Sequence, residues 1–122
     1  MLLEIPMIRT TGSHNYYVYV VTNKSKRVLY IGVTNNLSKR INEHLQDSLT
    51  EKKTFAGKYN CVNLVYFERY QWIQDAINRE TELKDWRREK KDKFITQHNP
   101  TWRFMNDELD LVDAGDSSLR SE

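Results

Sequence analysis

The 122-residue sequence has little of what would place it in several specialised classes of protein. Its single cysteine, Cys61, excludes an internal disulfide and suits a reducing cytoplasm, and no Cys/His spacing typical of a zinc site is present. The longest uninterrupted apolar run, Tyr16 to Val21, is far too short to span a bilayer. The first six residues lack the basic and apolar regions of a secretory signal. We therefore expect a cytoplasmic domain that does not associate with membranes.

Positive charge predominates over most of the chain, and negative charge at its end. Residues 1–106 carry 18 Lys and Arg against 11 Asp and Glu, whereas residues 107–122 carry one Arg and six acids. A basic body favours a domain that binds a polyanion, with an acidic tail that competes with or balances its field. The alternative is that these charge runs are simply solvated faces, and composition alone leaves both interpretations open.

The length and a hydrophobic content of 39% predict one folded domain. Residues 1–14 mix apolar residues with Pro, Thr, Gly and Ser without periodicity, which indicates a loose leader. We place the domain at residues 15–106. Residues 107–122 are acidic and contain Gly and Ser, which predicts a disordered tail.

Two runs rich in β-branched and aromatic residues, 17–21 and 29–33, predict a pair of strands. The polar residues between them predict a turn. If that turn centres on Lys24 and Ser25, Tyr19 stands directly opposite Tyr30, and the two phenol groups lie side by side on one face of a small sheet. An odd-length loop or a bulge would break this register. Gly32, in the second strand, would let a ligand or another backbone come close.

A helix is predicted directly after this hairpin. Asn35 or Asn36 offers a cap, and apolar residues then recur at helical spacing along a seam that we expect to face the core: Leu37, Ile41 and Leu45. Arg40 and His44 are four residues apart and share a neighbouring face. They can therefore point together at one anion.

The second half of the chain predicts a strand at residues 61–70, apolar on both faces, and two further helical patterns that end before Pro100. On a helical wheel, Glu80 falls within an apolar stripe formed by Ile73, Ala76, Ile77 and Leu83. A carboxylate there is costly unless it is paired or binds a metal. Lys84 and Arg87 are possible partners, so a salt bridge and a metal site are both open interpretations.

The hairpin, the helix and Glu80 together resemble the GIY-YIG nuclease family. The second family tripeptide is present as Tyr30-Ile31-Gly32, whereas the first is degenerate, as Tyr17-Val18-Tyr19. Arg40 follows the second tyrosine by ten residues, and Glu80 fits the helical glutamate of the family. The resemblance extends over residues 16–106. It is strongest to the short stand-alone bacterial members, and the N-terminal incision domain of the bacterial excision-repair nuclease, the ABC excinuclease, is similar as well.

This resemblance implies an α/β fold with a small, three-stranded, mostly antiparallel sheet flanked by about three helices. It also implies a metal-dependent DNA endonuclease of DNA repair or processing, with Mg²⁺ or Mn²⁺ held largely by Glu80. Tyr19 would be the general base or would orient the water, Tyr30 would hydrogen-bond the phosphate or the water, and Arg40 would clamp the phosphate. His44 would assist as a proton shuttle or a phosphate contact. Asn99 and Asn106 are both candidates for a further site asparagine.

The nucleic acid, DNA or else RNA, would be contacted by basic residues on the first helix, in the lysine-bearing loop at residues 47–58 and on the second helix: Lys39, Arg40, Lys52, Lys53, Lys58 and Lys84. That loop is equally interpretable as an ordinary surface connection. The rival hypotheses are a binding module that kept the fold without turnover, and a protein-interaction domain that uses Trp102 and the acidic tail. A protein partner or a homodimer is not visible in the sequence.

Overall fold

The structure is a computed structural model that describes residues 15–109. The predicted leader and residues 110–122 of the predicted tail lie outside the described residues. The elements follow one another along the chain as β1 (Tyr16–Thr22), β2 (Leu29–Thr34), α1 (Leu37–Leu49), α2 (Phe55–Lys58), β3 (Asn63–Tyr70), α3 (Ile73–Asp85), α4 (Arg88–His98) and a turn of 3-10 helix at Asn106–Glu108. The predicted α/β fold is confirmed.

The three strands form one antiparallel sheet in the order β2-β1-β3, so β1 lies at its centre. Six of the seven residues of β1 are buried, which explains why tyrosines and valines fill the strand up to Thr22 and do not alternate with polar residues. Helices cover both faces of the sheet. The site described below lies on the face covered by α1 and α2.

The hairpin register differs from the predicted one. Tyr19 pairs with Gly32, and Tyr30 pairs with Val21. The shift moves β2 by two residues, and because side chains alternate with a period of two, it leaves both tyrosines on the same face. Their ring centroids lie 6.2 Å apart. The predicted direct opposition is therefore wrong, whereas the predicted shared face is right.

The conformation of the turn causes this shift. The side-chain Oδ1 of Asn23 accepts hydrogen bonds from the backbone N–H groups of Arg27 and Val28, at 3.0 and 3.1 Å. Lys26 adopts a left-handed conformation with φ 64°. These interactions close a longer loop than a two-residue turn at Lys24 and Ser25 would, and the hairpin centre moves by one residue toward the C-terminus.

The two sheet faces carry separate apolar layers. On the face covered by α1 and α2, Tyr19, Leu37, Ile41 and Leu64 are buried together. On the opposite face, α3 and α4 bury a second set: Val18, Val20, Ile31, Val65, Ala76, Leu83 and Ile95. Leu64 and Val65 lie in opposite layers because successive strand side chains alternate. A register shift between β1 and β3 at Val20 and Val21 then places Tyr66 on the same face as Val65. The expectation that the third strand is covered on both faces is confirmed.

A polar network fixes α3 against β3. The carboxylate of Glu68 accepts hydrogen bonds from Tyr66 and Tyr70, each at 2.6 Å, and from the Arg79 guanidinium at 3.0–3.2 Å. These hydrogen bonds, above all those from Arg79, hold the pKa of Glu68 below its usual value although partial burial acts in the opposite direction. The sequence does not indicate this network, because Glu68 and Arg79 lie 11 positions apart on different elements.

Structured backbone continues past the predicted domain boundary at residue 106. Asn106–Glu108 form the 3-10 turn, and Leu109 is buried in the layer beneath α1. The boundaries of the leader and the tail otherwise stay predictions. Among residues 15–109 no helix is long and apolar enough to cross a membrane.

Replacing Gly32 should destabilise the hairpin. A Cβ at this position would lie 2.5 Å from the hydroxyl oxygen of Tyr19, whose ring crosses the backbone of β2 there. We expect Gly32→Ala to lower the free energy of unfolding by about 1–3 kcal/mol through this overpacking, measured by urea denaturation. Asn35→Ala, at an exposed residue just beyond the same strand, is the control. Equal stability of Gly32→Ala and the wild type would contradict this account.

Candidate active site

The hydroxyl group of Tyr19 is the centre around which the predicted residues gather. The Tyr19 side chain is fully buried, and its hydroxyl oxygen lies 2.9 Å from Nε2 of His44. His44 is itself 1% exposed. Because Tyr19 is on the central strand and His44 on α1, this one hydrogen bond joins the sheet to the helix that covers it.

The placement of His44 corrects the predicted seam of α1. Asn36 caps the helix by accepting a hydrogen bond from the N–H of Lys39 at 3.0 Å, and Leu37 and Ile41 are buried as expected. Leu45, however, is 38% exposed. The buried stripe continues instead through His44 and Ser48, which also lie at helical spacing. His44, and not Leu45, therefore lies in the buried stripe. It is the hydrogen-bond partner that the buried Tyr19 hydroxyl requires.

Burial keeps both Tyr19 and His44 uncharged at neutral pH. It raises the pKa of Tyr19 far above the ordinary value, and this effect outweighs the nearby positive charge of Arg40, which acts in the opposite direction. Burial, together with the positive charge of Arg40, lowers the pKa of His44 to about 4. The protonated phenol therefore donates to Nε2 of a neutral imidazole, whose own proton must be on Nδ1.

Arg40 lies beside this buried pair, at the surface. Its Nη1 donates to Glu43 Oε1 at 3.0 Å, and its side chain is 37% exposed. The hydrogen bond to Glu43 and the nearby Tyr19 hydroxyl raise its pKa despite partial burial. An exposed pair such as Arg40–Glu43 contributes little to stability, so a phosphate can replace Glu43 at small cost.

Tyr30 connects the buried pair to the edge of the sheet. Its ring centroid lies 5.3 Å from that of His44, in an edge-on arrangement, and 6.0 Å from that of Phe55 on α2. The ammonium nitrogen of Lys84 lies 5.9 Å from the Tyr30 centroid. Tyr30 is half-buried, so part of its surface remains accessible to a substrate.

Glu80 lies at the margin of the α3 interface, not in the middle of a buried stripe. Ile73 and Ile77 are 44% and 39% exposed, and the helix buries Ala76 and Leu83 instead. The Glu80 side chain is 21% exposed and pairs with Lys84 at 3.3 Å. Of the two partners foreseen in the sequence, Lys84 makes the contact. The negative charge of Glu80 still reaches the site, since it is among the influences that raise the pKa of Tyr19 after burial and Tyr30.

The donor set suits a divalent cation that is bound together with a substrate. Among residues 15–109, no group of three or more His, Cys, Asp or Glu side chains could hold a metal ion. Glu80 supplies a single carboxylate. Mg²⁺ commonly keeps several waters and binds through one or two carboxylates plus substrate phosphates. Glu80 therefore fits as one ligand of Mg²⁺ or Mn²⁺, with phosphate oxygens and water as the others.

The predicted nucleic-acid contacts are distributed unevenly. Lys84 lies in the site, and Lys39 is exposed one residue before Arg40. The ammonium of Lys58 lies 5.5 Å from the ring centroid of Tyr59, at the end of α2. The other two lysines make local contacts, since Lys52 Nζ donates to the Ser48 carbonyl at 2.8 Å and Lys53 pairs with Glu51 at 2.7 Å.

The lysine-bearing loop contains a short helix that the sequence analysis missed. Asp47 accepts hydrogen bonds from the backbone of Lys53 and from both the N–H and the hydroxyl of Thr54, which lower its pKa. Thr54 in turn caps α2 by accepting from the N–H of Gly57 at 2.9 Å. A Cβ at Gly57 would overlap the Asp47 carboxylate. In the sequence, Asp47, Thr54 and Gly57 are the residues that could have indicated this short helix.

The side chains of the two candidate asparagines form hydrogen bonds with backbone groups and not with the Tyr19 hydroxyl. Asn99 donates to the carbonyls of Val65 and Arg103 and accepts from the N–H of Arg103. Asn106 donates to the Val62 carbonyl and accepts from the N–H of Leu64, both at 2.8 Å. Both amide groups thus fasten the C-terminal segment to β3.

The sequence of the chain matches a known protein family. A sequence model described as the GIY-YIG catalytic domain matches residues 15–93, which include all three strands, α1 to α3 and the first half of α4. The chain belongs to the GIY-YIG family. Members of this family are generally endonucleases and typically use divalent metals.

Curated relatives of this GIY-YIG protein carry the name UPF0213 protein, which states no activity. One from Limosilactobacillus reuteri is 33% identical over 87 residues, covering 71% of this chain and 88% of the relative. Another from Clostridium perfringens is 36% identical over 95 residues, covering 78% and 98% respectively. The solution structure of a UPF0213 protein from Bacillus halodurans aligns at 25% identity with a TM-score of 0.44, covering 70% of this chain and 86% of that one.

Burial of His44 should make stability depend on pH. A histidine in an unfolded chain titrates near ~6.5, whereas the pKa of His44 in the fold is about 4. Between these values the unfolded chain binds more protons than the fold, so the free energy of unfolding falls as the pH drops from neutral toward 4. We expect the wild type to lose roughly 2 kcal/mol more than His44→Gln over this range, measured by urea denaturation.

The exposed His98 provides the matched control for this effect. His98→Gln should keep the wild-type pH dependence. If His44→Gln and the wild type showed parallel stability curves from pH 7 to pH 4, His44 would not be held neutral in the fold.

Proposed function

We propose that this GIY-YIG protein is a metal-dependent endonuclease that hydrolyses phosphodiester bonds in DNA. The observation that supports this most directly is the convergence of Arg40, His44 and Tyr30 on the buried Tyr19 hydroxyl, with Glu80 at the same edge. Packing alone would not need a buried phenol that is hydrogen-bonded to a neutral imidazole beside an arginine. This combination supplies a phosphate-binding cation, proton-transfer groups and a carboxylate within one small volume.

Arg40 would bind the scissile phosphate. Its guanidinium can make two parallel hydrogen bonds to phosphate oxygens, and it would exchange the exposed Glu43 carboxylate for them. The positive charge would then stabilise the additional negative charge that develops on the phosphate during attack. Tyr30, on the neighbouring strand, would donate its hydroxyl proton to a phosphate oxygen or to the attacking water.

Tyr19 would act on the water through His44. A phenolate is not available at neutral pH, because burial raises the pKa of Tyr19. The neutral Nε2 of His44 is instead placed to take the phenol proton as the Tyr19 oxygen takes one from water. The water oxygen then attacks phosphorus, the bond to the leaving oxygen breaks, and the proton remains on the imidazole until solvent removes it. His44 thus has a larger part in this proposal than the auxiliary role predicted from the sequence.

A divalent cation at Glu80 would supply charge stabilisation for the phosphate and the leaving oxygen. The Nζ atom of Lys84 lies 3.3 Å from Oε2 of Glu80, and the Lys84 side chain is 51% exposed. Binding of the ion would therefore release Lys84, whose ammonium then becomes available to a neighbouring phosphate. The basic body of residues 1–106 favours a nucleic acid as the substrate. We place this activity in cytoplasmic DNA repair or processing.

The second candidate is a nucleic-acid-binding module without turnover. The Glu80–Lys84 pair favours it, because a carboxylate neutralised by lysine is a weaker metal ligand. The first family tripeptide, Tyr17-Val18-Tyr19, also lacks its glycine. Retention of the Tyr19–His44 hydrogen bond with Arg40 nearby supports the enzyme instead.

Nicking of supercoiled plasmid in Mg²⁺ or Mn²⁺ tests the proposal. We expect the wild type to nick, and Arg40→Ala and Glu80→Gln each to lose at least about 100-fold in rate, since each removes charge stabilisation of the transition state. Asp85→Asn, at an exposed acid on the same helix, should retain the wild-type rate. EDTA should abolish nicking by every variant.

Two results would contradict the assignment. Nicking that survives in Glu80→Gln at the wild-type rate would remove Glu80 as the metal ligand. Salt-sensitive DNA binding by the wild type without nicking in either metal would favour the binding module.

A further inference from the structure

Three aromatic side chains form a row that leads from the candidate active site to the surface. We call it the aromatic shelf and define it as Tyr30, Phe55 and Tyr59. The rings of Tyr30 and Phe55 are stacked with centroids 6.0 Å apart, and those of Phe55 and Tyr59 lie 4.8 Å apart. Phe55 is 49% exposed and Tyr59 42% exposed. The function proposed above gives a role only to Tyr30, at the inner end of the shelf.

Hydrogen bonds and a buried alanine of α2 hold the shelf in an exposed position. The Asp47 and Thr54 hydrogen bonds fasten α2 to the end of α1, and Ala56 is fully buried beneath the helix. This arrangement turns the rings of Phe55 and Tyr59 outward instead of into the apolar layer below. Neighbouring large apolar side chains exposed on a rigid support generally mark a binding surface.

Positive charge surrounds the shelf. Lys58 lies 5.5 Å from the Tyr59 centroid, and Lys84 lies 5.9 Å from the Tyr30 centroid. Lys84 and Lys91, together with Tyr30 and Phe55, also line a shallow open depression beside β2. Exposed aromatic rings bordered by lysines are the combination that binds unpaired nucleotides, because bases stack on the rings and phosphates pair with the cations.

A continuous duplex cannot use this surface in the same way. Its bases are stacked on one another, so no base face is available to Phe55 or Tyr59. An unpaired nucleotide offers such a face, and its backbone can reach Arg40 because Tyr30 belongs to both the shelf and the site. The lysines argue against a second apolar protein surface as the occupant.

We propose that the aromatic shelf stacks against an unpaired base, so that the preferred DNA has unpaired nucleotides beside the scissile phosphate. Such DNA includes single strands, bubbles and flaps. As a statement about cleavage, this inference rests on the proposed endonuclease function. As a statement about binding, it stands on the shelf and its lysines alone.

Fluorescence anisotropy in EDTA tests the binding step without cleavage. The probes are a labelled oligothymidine of about 12 nucleotides, within the usual range of single-strand site sizes, and a blunt duplex of equal length. We expect the wild type to bind the oligothymidine more tightly than the duplex. Phe55→Leu and Tyr59→Leu should each weaken oligothymidine binding roughly 10-fold, with duplex binding changed less than about 2-fold. Leucine keeps an apolar side chain and removes only the ring.

The matched controls separate stacking from unfolding and from general aromatic content. Tyr59→Phe keeps the ring and should bind like the wild type. Trp72→Leu makes the same kind of change at an aromatic residue that is 53% exposed and outside the shelf, and it should leave both affinities unchanged. Unchanged far-UV circular dichroism and urea midpoints in the two shelf variants would show that the fold is retained.

The outcomes distinguish this inference from the proposed function. Equal oligothymidine affinity of Phe55→Leu, Tyr59→Leu and the wild type would overturn the shelf, even if plasmid nicking is intact. Selective binding that depends on the shelf, without cleavage of single-stranded, bubble or flap DNA, would support the shelf and overturn the endonuclease. A wild-type dimer in sedimentation that Phe55→Leu converts to monomer would assign the shelf to a second copy and also overturn the inference.

Discussion

The hydrogen bond between the buried Tyr19 hydroxyl and His44 is the constraint on which most of this structure depends. A phenol at the centre of the sheet must have a partner, because a buried hydroxyl without one is costly. That requirement places a histidine in the apolar seam of α1. It also requires Gly32 on the neighbouring strand, since any larger side chain would collide with the Tyr19 ring. One polar contact thus determines residues on three elements.

The segments around this contact are held in place mainly by side chains that form hydrogen bonds with backbone groups. Asp47 fastens α2 through the Lys53 and Thr54 amides, and Asn99 and Asn106 fasten the C-terminal segment to β3. Such bonds hold irregular segments that have no regular backbone partners of their own. They leave Arg40 and the aromatic shelf exposed at the edge of a rigid frame. The frame is therefore preorganised, while the groups that would meet a substrate remain accessible.

The charges follow the same division between interior and edge. Tyr19 and His44 are neutral because burial acts against their charged forms. Arg40 and Glu80 keep their charges at the margin, each paired with an exposed residue of opposite sign. These exposed pairs are weak, so a phosphate and a divalent ion can replace Glu43 and Lys84 without unfolding anything. The arrangement combines a buried, neutral hydrogen-bonded pair with exposed ion pairs at the margin.

The sequence by itself determined the three strands, the longer helices and the face shared by Tyr19 and Tyr30, because strand and helix periodicities are local properties of the chain. The spacing of Arg40 and His44 also indicated that these two residues share a face, and the resemblance to the GIY-YIG family added Glu80 to them. Only the tertiary structure decided the pairing of Tyr19 with Gly32. The left-handed conformation of Lys26 and the hydrogen bonds that Asn23 Oδ1 accepts set the turn. The tertiary structure likewise decided that Lys84 pairs with Glu80 and that Phe55 stacks on Tyr30. The last two outcomes depend on which side chains meet, and periodicity along a single element carries no information about that.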